Sequence, residues 1–190
     1  MQTIGSVLEP YSMTKKHKFY GFGSLNLKMS CSSLKRMDSQ YFGGKAATAE
    51  MNIFPISGDA EEPASVGMED LIANYRKITR DIVPGKECYL APVLKRLRGL
   101  INKRDPNYHV VLLMVSGPIA DMSETKERIV MLSRHPCQII IVGISDIDFS
   151  QLEELNADGG KLRDDSNNIS VRKMVQFIKL SDALARGDLA

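Results

Sequence analysis

The residues best placed for chemistry follow a strand-like apolar run in the stretch Val110–Thr125, VVLLMVSGPIADMSET. Ser116 and Gly117 come directly after the run, and the first acidic side chain of the turn is Asp121. In α/β proteins, ligands and metals usually bind at the carboxyl ends of the strands. The pattern therefore predicts a site loop whose first side-chain ligand would be a serine hydroxyl.

Ser116 has two candidate roles. It lies between a strand and a turn, as a nucleophile would, but the elbow motif G-x-S-x-G is missing because the local string is MVSGP. Neither His109 nor His135 has an acidic partner at a telling spacing. We therefore expect no catalytic residue in the chain, and we expect Ser116 to cap or satisfy the backbone of its own loop.

The three cysteines, Cys31, Cys88 and Cys137, show no CxxC or Cys/His ligand spacing. An odd number without such spacing is typical of free thiols in a reducing compartment. Cys88 has neither a histidine nor a cluster of cations beside it in GKECYLAP. A structural, partly buried thiol is thus favoured over a reactive one.

Composition argues against several classes of function. The 190 residues include 25 basic and 23 acidic side chains, with a formal charge of +2, which is too balanced to indicate nucleic-acid or membrane binding. No apolar run approaches the roughly 18 to 20 residues that span a bilayer. The N-terminus lacks the basic and then apolar pattern of a secretion signal. We expect a cytoplasmic protein that binds no nucleic acid.

Two continuous apolar runs, Val110–Val115 and Ile139–Val142, are typical of buried parallel strands. A helix is predicted between them, with Ser123 as its N-cap and Pro136 as its stop. Strand, helix and strand make a βαβ unit, which should cross over right-handed. The site loop would lie at the end of its first strand.

Apolar residues spaced by three and four predict two earlier helices, over residues 67–82 and 89–103. The second has a basic face, and a solvated surface is favoured there over one for acidic lipid or nucleic acid. Asp148, with Gln151 three residues later, predicts a capping box that opens a further helix. Short strands are expected over 18–24 and 51–57, a last strand over 172–180, and the end of a helix over 2–11.

The stretch Leu25–Glu50 is rich in Ser, Gly, Lys and Met and has no sustained period, which predicts a flexible surface insertion. Residues 181–190 are expected to form a short C-terminal tail. The remaining pattern predicts one α/β domain over residues 1–190, with a mostly parallel sheet covered on both faces.

Several motifs together resemble the carboxyl-terminal von Willebrand factor A-like domain of the copines, over most of the chain outside the insertion. They are YGFG (20–23), FPISGDAEEPASVGMEDLIANYR (54–76), YLAP (89–92), SGPIADMSETKERIV (116–130), IIIVGIS (139–145) followed by DF (148–149), and VRKMVQF (171–177). The resemblance implies a three-layer, Rossmann-like fold with a metal-ion-dependent adhesion site at the upper edge of its sheet.

In this family a DxSxS-like run after the first strand, a loop threonine and an aspartate after the fourth strand hold a Mg²⁺ or Ca²⁺ ion. The resemblance begins within the family's first helix, so we expect a truncated domain that lacks the first central strand and this run. The threonine corresponds to Cys88 and the aspartate to Ser116. A thiol and a neutral hydroxyl are poor ligands for such ions. We therefore predict a degenerate site that holds no metal or other cofactor.

The resemblance implies a non-catalytic module that binds other proteins at this edge, which we call the adhesion-site face. Its residues are Cys88, Ser116, Gly117, Asp121 and Ser145. The alternative is calcium-dependent phospholipid binding, with peripheral attachment to the plasma membrane, if the full gene product has upstream lipid-binding domains. Loss of the central strand would also expose a sheet edge, through which the chain could self-associate.

Overall fold

The computed structural model describes residues 10, 12, 16–27, 53–59, 63–80, 82–101, 107–158 and 160–187. The chain divides into two compact units, Met1–Lys86 and Glu87–Asp188. We call them the N-terminal and C-terminal units and describe each by itself.

Among its described residues, the N-terminal unit contains short strands in antiparallel pairs and the helix α1 at Gly67–Ile78. The pairs are β1 (Lys16–Lys18) with β5 (Ala64–Val66), β2 (Tyr20–Phe22) with β4 (Ile53–Pro55), and β3 (Ser24–Leu27) with β6 (Ile82–Pro84). A small core of Phe54, Ile56 and Ile78 is buried in this unit. Gly21 is required in the YGFG motif because a Cβ there would lie 2.2 Å from the Phe54 ring.

The C-terminal unit is built on a parallel three-stranded sheet in the order β7-β8-β9. Its elements are α2 (Ala91–Leu100), β7 (His109–Val115), α3 (Met122–Leu132), β8 (Cys137–Gly143), α4 (Ser150–Glu153) continued by a 3₁₀ turn at Glu154–Asn156, β9 (Val175–Lys179) and α5 (Leu180–Ala185). In the register of the sheet, Leu113 lies beside Ile141 and Ile141 beside Phe177. The predicted βαβ unit, β7-α3-β8, is confirmed.

Alternating residues of this sheet differ in burial. One face contains side chains that are at most 5% exposed, those of Leu113, Ile139, Ile141 and Val175. On the other face Val110 is exposed and Leu112 and Ile140 are half-buried. Each fully buried branched side chain contributes about 1.5–3 kcal/mol of transfer free energy, so the first face holds most of the core.

The α/β class is confirmed, but within the described residues the parallel strands are those of the C-terminal unit alone. The expected mostly parallel sheet is therefore wrong for the N-terminal unit, whose strand pairs are antiparallel. The helix predicted over 67–82 ends at Ile78, and Ile82 instead pairs with Leu27 in the β3–β6 ladder. The apolar periodicity predicted too long a helix because Ile82 continues the spacing of its apolar residues.

Two predicted caps are also wrong. Ser123 lies inside α3, where its hydroxyl donates to Asp165, and the N-cap position belongs to Asp121. The Asp148 carboxylate accepts the backbone N–H of Ser150 at 2.9 Å and the Ser150 hydroxyl at 3.0 Å. It thus closes a local turn before α4 and makes no capping box with Gln151.

The first three residues of the predicted insertion, 25–27, belong to β3. Its remainder, from residue 28 to 50, lies outside the described residues. The predicted helix end at 2–11 lies almost wholly outside them. The predicted tail at 181–190 includes most of α5. In the part of the chain that the structure describes, no helix is long and apolar enough to cross a membrane.

Candidate functional site

One edge of the adhesion-site face is formed where the loop before α2 meets the loop after β7. The Cys88 N–H donates to the Pro118 carbonyl, and the Ala120 N–H donates to the Cys88 carbonyl, both at 3.0 Å. These bonds make a short parallel bridge between Cys88 and Ile119. The two loops are therefore fastened together through their backbones.

Asp121 fastens the same two loops through its side chain. Its carboxylate oxygens accept the N–H groups of Leu90 at 3.0 Å and Ala91 at 2.8 Å, and the Thr125 hydroxyl at 3.3 Å. Leu90 is the N-cap residue of α2 and has no capping side chain of its own. Asp121 thus caps α2 from 30 residues away along the chain, since it accepts the N–H groups that the first turn leaves without partners.

Burial controls the protonation of this edge. Burial raises the pKa of Asp121, although hydrogen bonds from Leu90, Ala91 and Thr125 act in the opposite direction. Burial, and then the nearby charge of Asp121, raise the pKa of the Cys88 thiol to about 12. The thiol is therefore protonated at neutral pH, and it is a weak nucleophile and a poor metal ligand. The expected burial of Cys88 is confirmed, and its structural role stays a prediction.

The other edge is formed by the loops that follow β7 and β8. The Ser145 hydroxyl donates to the Ser116 carbonyl at 2.9 Å, and the Ile144 N–H donates to the Val115 carbonyl at 2.9 Å. Ser116 is exposed, and a Cβ added to Gly117 would have no heavy atom within 4 Å. This edge therefore presents backbone and hydroxyl groups to the solvent.

The Ser116 side chain does not do what the sequence led us to expect. Within the described residues its hydroxyl makes no hydrogen bond, and its carbonyl is the group that joins it to Ser145. The expected capping of the loop by the hydroxyl is wrong, because Ser145 supplies the hydroxyl instead.

The loop after β8 is held by a close approach that the sequence analysis missed. A Cβ on Gly143 would lie 2.6 Å from the Phe149 ring. That ring is buried and lies 5.5 Å from the ring of Phe177, centroid to centroid. The sequence does contain a sign of this contact, because a glycine ends an apolar run and an aromatic residue follows it six positions later. Gly143 and Phe149 together set the path of the loop that contains Ser145.

The donors on this face do not fit a hard divalent cation. The Cys88 thiol is protonated, the Ser116 hydroxyl is neutral, and the Asp121 oxygens already accept backbone N–H groups. Mg²⁺ and Ca²⁺ prefer carboxylate and other hard oxygen ligands. No group of three or more His, Cys, Asp or Glu side chains suited to a metal occurs among the described residues.

The structure thus brings Cys88 together with Asp121 and brings Ser116 together with Ser145, with Gly117 in the connecting turn. The residues that sequence reasoning missed are Leu90, Ala91, Gly143 and Phe149, and all four act through packing or backbone contacts. A sequence model of one protein family, described as Copine, matches residues 1–189, essentially the whole chain.

Proposed function

Because the chain belongs to the copine family, we propose that it is a non-catalytic protein-interaction module whose partner binds the adhesion-site face without a metal ion. The observation that supports this most is the use of the Asp121 carboxylate as the cap of α2. The Asp121 carboxylate is engaged within the unit, so we expect recognition at this face to depend on shape and neutral hydrogen bonds.

Preorganisation of the face supports the same proposal. Backbone bonds join Cys88 to the loop after β7, and Ser145 joins that loop to the one after β8. A partner that binds a surface already held in place loses less conformational freedom on association. The exposed Ser116 and the open space at Gly117 are where we place its contacts.

Two observations support a non-catalytic role. The Cys88 thiol, with its pKa near 12, is protonated at neutral pH. The Ser116 hydroxyl makes no hydrogen bond to a general base within the described residues. Nucleophilic catalysis needs a nucleophile activated by a base or by a lowered pKa, and neither residue meets that requirement.

The test is capture of partner proteins by the immobilised chain, with Mg²⁺ or with EDTA in the buffer. We expect the same proteins to be retained in both buffers. Ser116→Arg and Gly117→Arg should release them, whereas Glu127→Arg, at an exposed position of α3, should retain them. Loss of the partners in EDTA would contradict the metal-free part of the proposal. Retention by both face variants would contradict the location of the binding surface.

Membrane attachment and self-association require separate measurements. We propose that this chain stays in the cytoplasm and that calcium alone does not bring it to anionic liposomes. Calcium-dependent co-sedimentation would favour the lipid-binding alternative.

Self-association would use the outer edge of β7, which pairs only with β8 among the described strands and contains no Lys or Pro. A monomeric mass in light scattering, independent of concentration, would contradict it.

A further inference from the structure

The amino-terminal ends of the parallel strands form a second exposed surface in the C-terminal unit. It lies at the opposite end of the strands from Ser116 and Ser145, and we call it the basal patch. Its residues are Tyr108, Arg134, Arg163, Ile169, Val171 and Arg172.

Large apolar side chains are exposed in this patch. Tyr108 is 57% exposed, Val171 53% and Ile169 44%. Ser170, between the two aliphatic residues, is 2% exposed, so Ile169 and Val171 project outward from one extended segment. Apolar side chains grouped on a surface and bordered by polar ones are typical of interaction sites.

The segment is held in place by contacts to its neighbours. The Val171 N–H donates to the Ser133 hydroxyl at 2.9 Å, next to Arg134, and the Ser170 N–H donates to the Leu162 carbonyl at 2.9 Å. An antiparallel bridge sets Ile169 beside Arg163. These contacts bring the aliphatic side chains and the two arginines to one surface.

Arg172 joins this segment to Tyr108. Its guanidinium donates to the His135 carbonyl at 2.8 Å and to the Cys137 carbonyl, and it lies 5.9 Å from the centroid of the Tyr108 ring. All of these partners are neutral, so the positive charge of Arg172 is fixed in position and is not cancelled by a carboxylate. Tyr and Arg are the residue types that most often dominate binding energy at protein interfaces.

The positive charge of the basal patch indicates which kind of partner it would bind. Arg134 and Arg163 are exposed, and neither makes an ion pair or side-chain hydrogen bond within the described residues. Two carboxylates follow Arg163 along the chain, and both bind neutral groups of their own unit: Asp164 is buried and accepts bonds from Ser166 and Asn168, and Asp165 accepts the Ser123 hydroxyl. Three arginines around apolar side chains complement a segment that is both acidic and apolar.

We propose that the basal patch binds a short acidic segment of a partner protein, in which apolar side chains alternate with carboxylates. The carboxylates pair with Arg134 and Arg163, and the apolar side chains pack on Val171, Ile169 and Tyr108. This binding surface is separate from the adhesion-site face.

The test uses the full chain and a fluorescein-labelled peptide in which Glu alternates with Leu and Phe, measured by fluorescence anisotropy. We expect saturable binding that weakens about tenfold or more in the double variant Arg134→Glu, Arg163→Glu and in Val171→Ser. The matched control, Lys95→Glu with Arg98→Glu on the exposed basic face of α2, should bind as the unmodified chain does. Ser116→Arg should also leave this binding unchanged. Circular dichroism confirms that each variant is folded.

Further peptides test whether both the carboxylates and the apolar side chains of the labelled peptide contribute to binding. A peptide with Lys in place of Glu, and one with Ser in place of Leu and Phe, should both bind at least tenfold more weakly. The proposal is overturned if the basic-face control loses binding equally, since that result indicates unspecific charge attraction. It is also overturned if no peptide binds, or if anionic vesicles bind through the patch residues and the peptide does not.

Discussion

At one edge of the adhesion-site face, Asp121 and Cys88 are turned inward and bind groups of their own unit. At the other edge, Ser116 leaves its hydroxyl to the solvent and is joined to Ser145 only through its carbonyl. The two edges are a few residues apart along the same loop, yet one is fastened by hydrogen bonds to a carboxylate and the other by hydrogen bonds between neutral groups. The comparison indicates that the inner edge supplies stability and that the outer edge is available for recognition.

The largest expected effect comes from disturbing the buried contact between Gly143 and Phe149, which sets the path of the loop after β8. Gly143→Ala places a Cβ 2.6 Å from the Phe149 ring, and because that ring is buried the chain must shift to accommodate it. We expect a loss of about 1–3 kcal/mol in the free energy of unfolding, measured by urea denaturation. Gly117→Ala, where the added Cβ meets open space, is the matched control. Equal stability of the two variants would show that the Gly143 contact does not constrain the loop.

The inner edge is tested by Asp121→Ala, which removes the acceptor for the Leu90 and Ala91 N–H groups. We expect the free energy of unfolding to fall by about 1–2 kcal/mol, as for the loss of a helix cap. Asp121→Asn keeps an oxygen acceptor and removes the buried charge, so it should lose less than Asp121→Ala. An Asn variant as unstable as the Ala variant would indicate that both carboxylate oxygens are needed, since the Asn amide offers one acceptor for the two N–H groups.

A smaller loss is expected when the two outer loops are separated. Ser145→Ala removes the hydroxyl that donates to the Ser116 carbonyl, and a net neutral hydrogen bond contributes about 0.5–1.5 kcal/mol. The free energy of unfolding should fall within the lower part of that range, because Ser145 is only half-buried. Ser116→Ala, which removes an exposed hydroxyl, is the control and should change it by less than about 0.5 kcal/mol. A larger loss in the control would reverse the assignment of the two hydroxyls.

The pH dependence of stability tests the inner edge, because Asp121 is the group there that titrates at acidic pH. Because burial raises the pKa of Asp121, the folded chain binds a proton there more tightly than the unfolded chain does. The unmodified chain should therefore lose stability relative to Asp121→Asn as the pH rises from the ordinary value of 3.8 through the folded pKa. Urea denaturation of both proteins between pH 3.5 and 7 measures this difference. A difference that grows in the opposite direction would show that the hydrogen bonds outweigh burial.

The sequence predicted what depends on local pattern. The apolar runs located β7 and β8, the three-and-four spacing located α2, and together they placed Ser116 and Ser145 after the ends of strands. The cap of α2 by Asp121 could not be predicted in this way. Asp121 lies 30 residues along the chain from Ala91, whereas sequence signals for a helix cap are sought next to the helix itself. The antiparallel pair of β3 and β6 was missed for a similar reason, since pairing with Leu27 overrides the helical position of Ile82.

The bridge between Cys88 and Ile119 has a consequence for how this region opens. The amide protons of Cys88 and Ala120 are bonded across the two loops, and those of Leu90 and Ala91 are bonded to Asp121. None of them can be released while the other loop stays in place. These four amides should therefore exchange with solvent deuterium at matching rates, through one shared opening, so that the end of β7 and the start of α2 behave as a single unit of local unfolding.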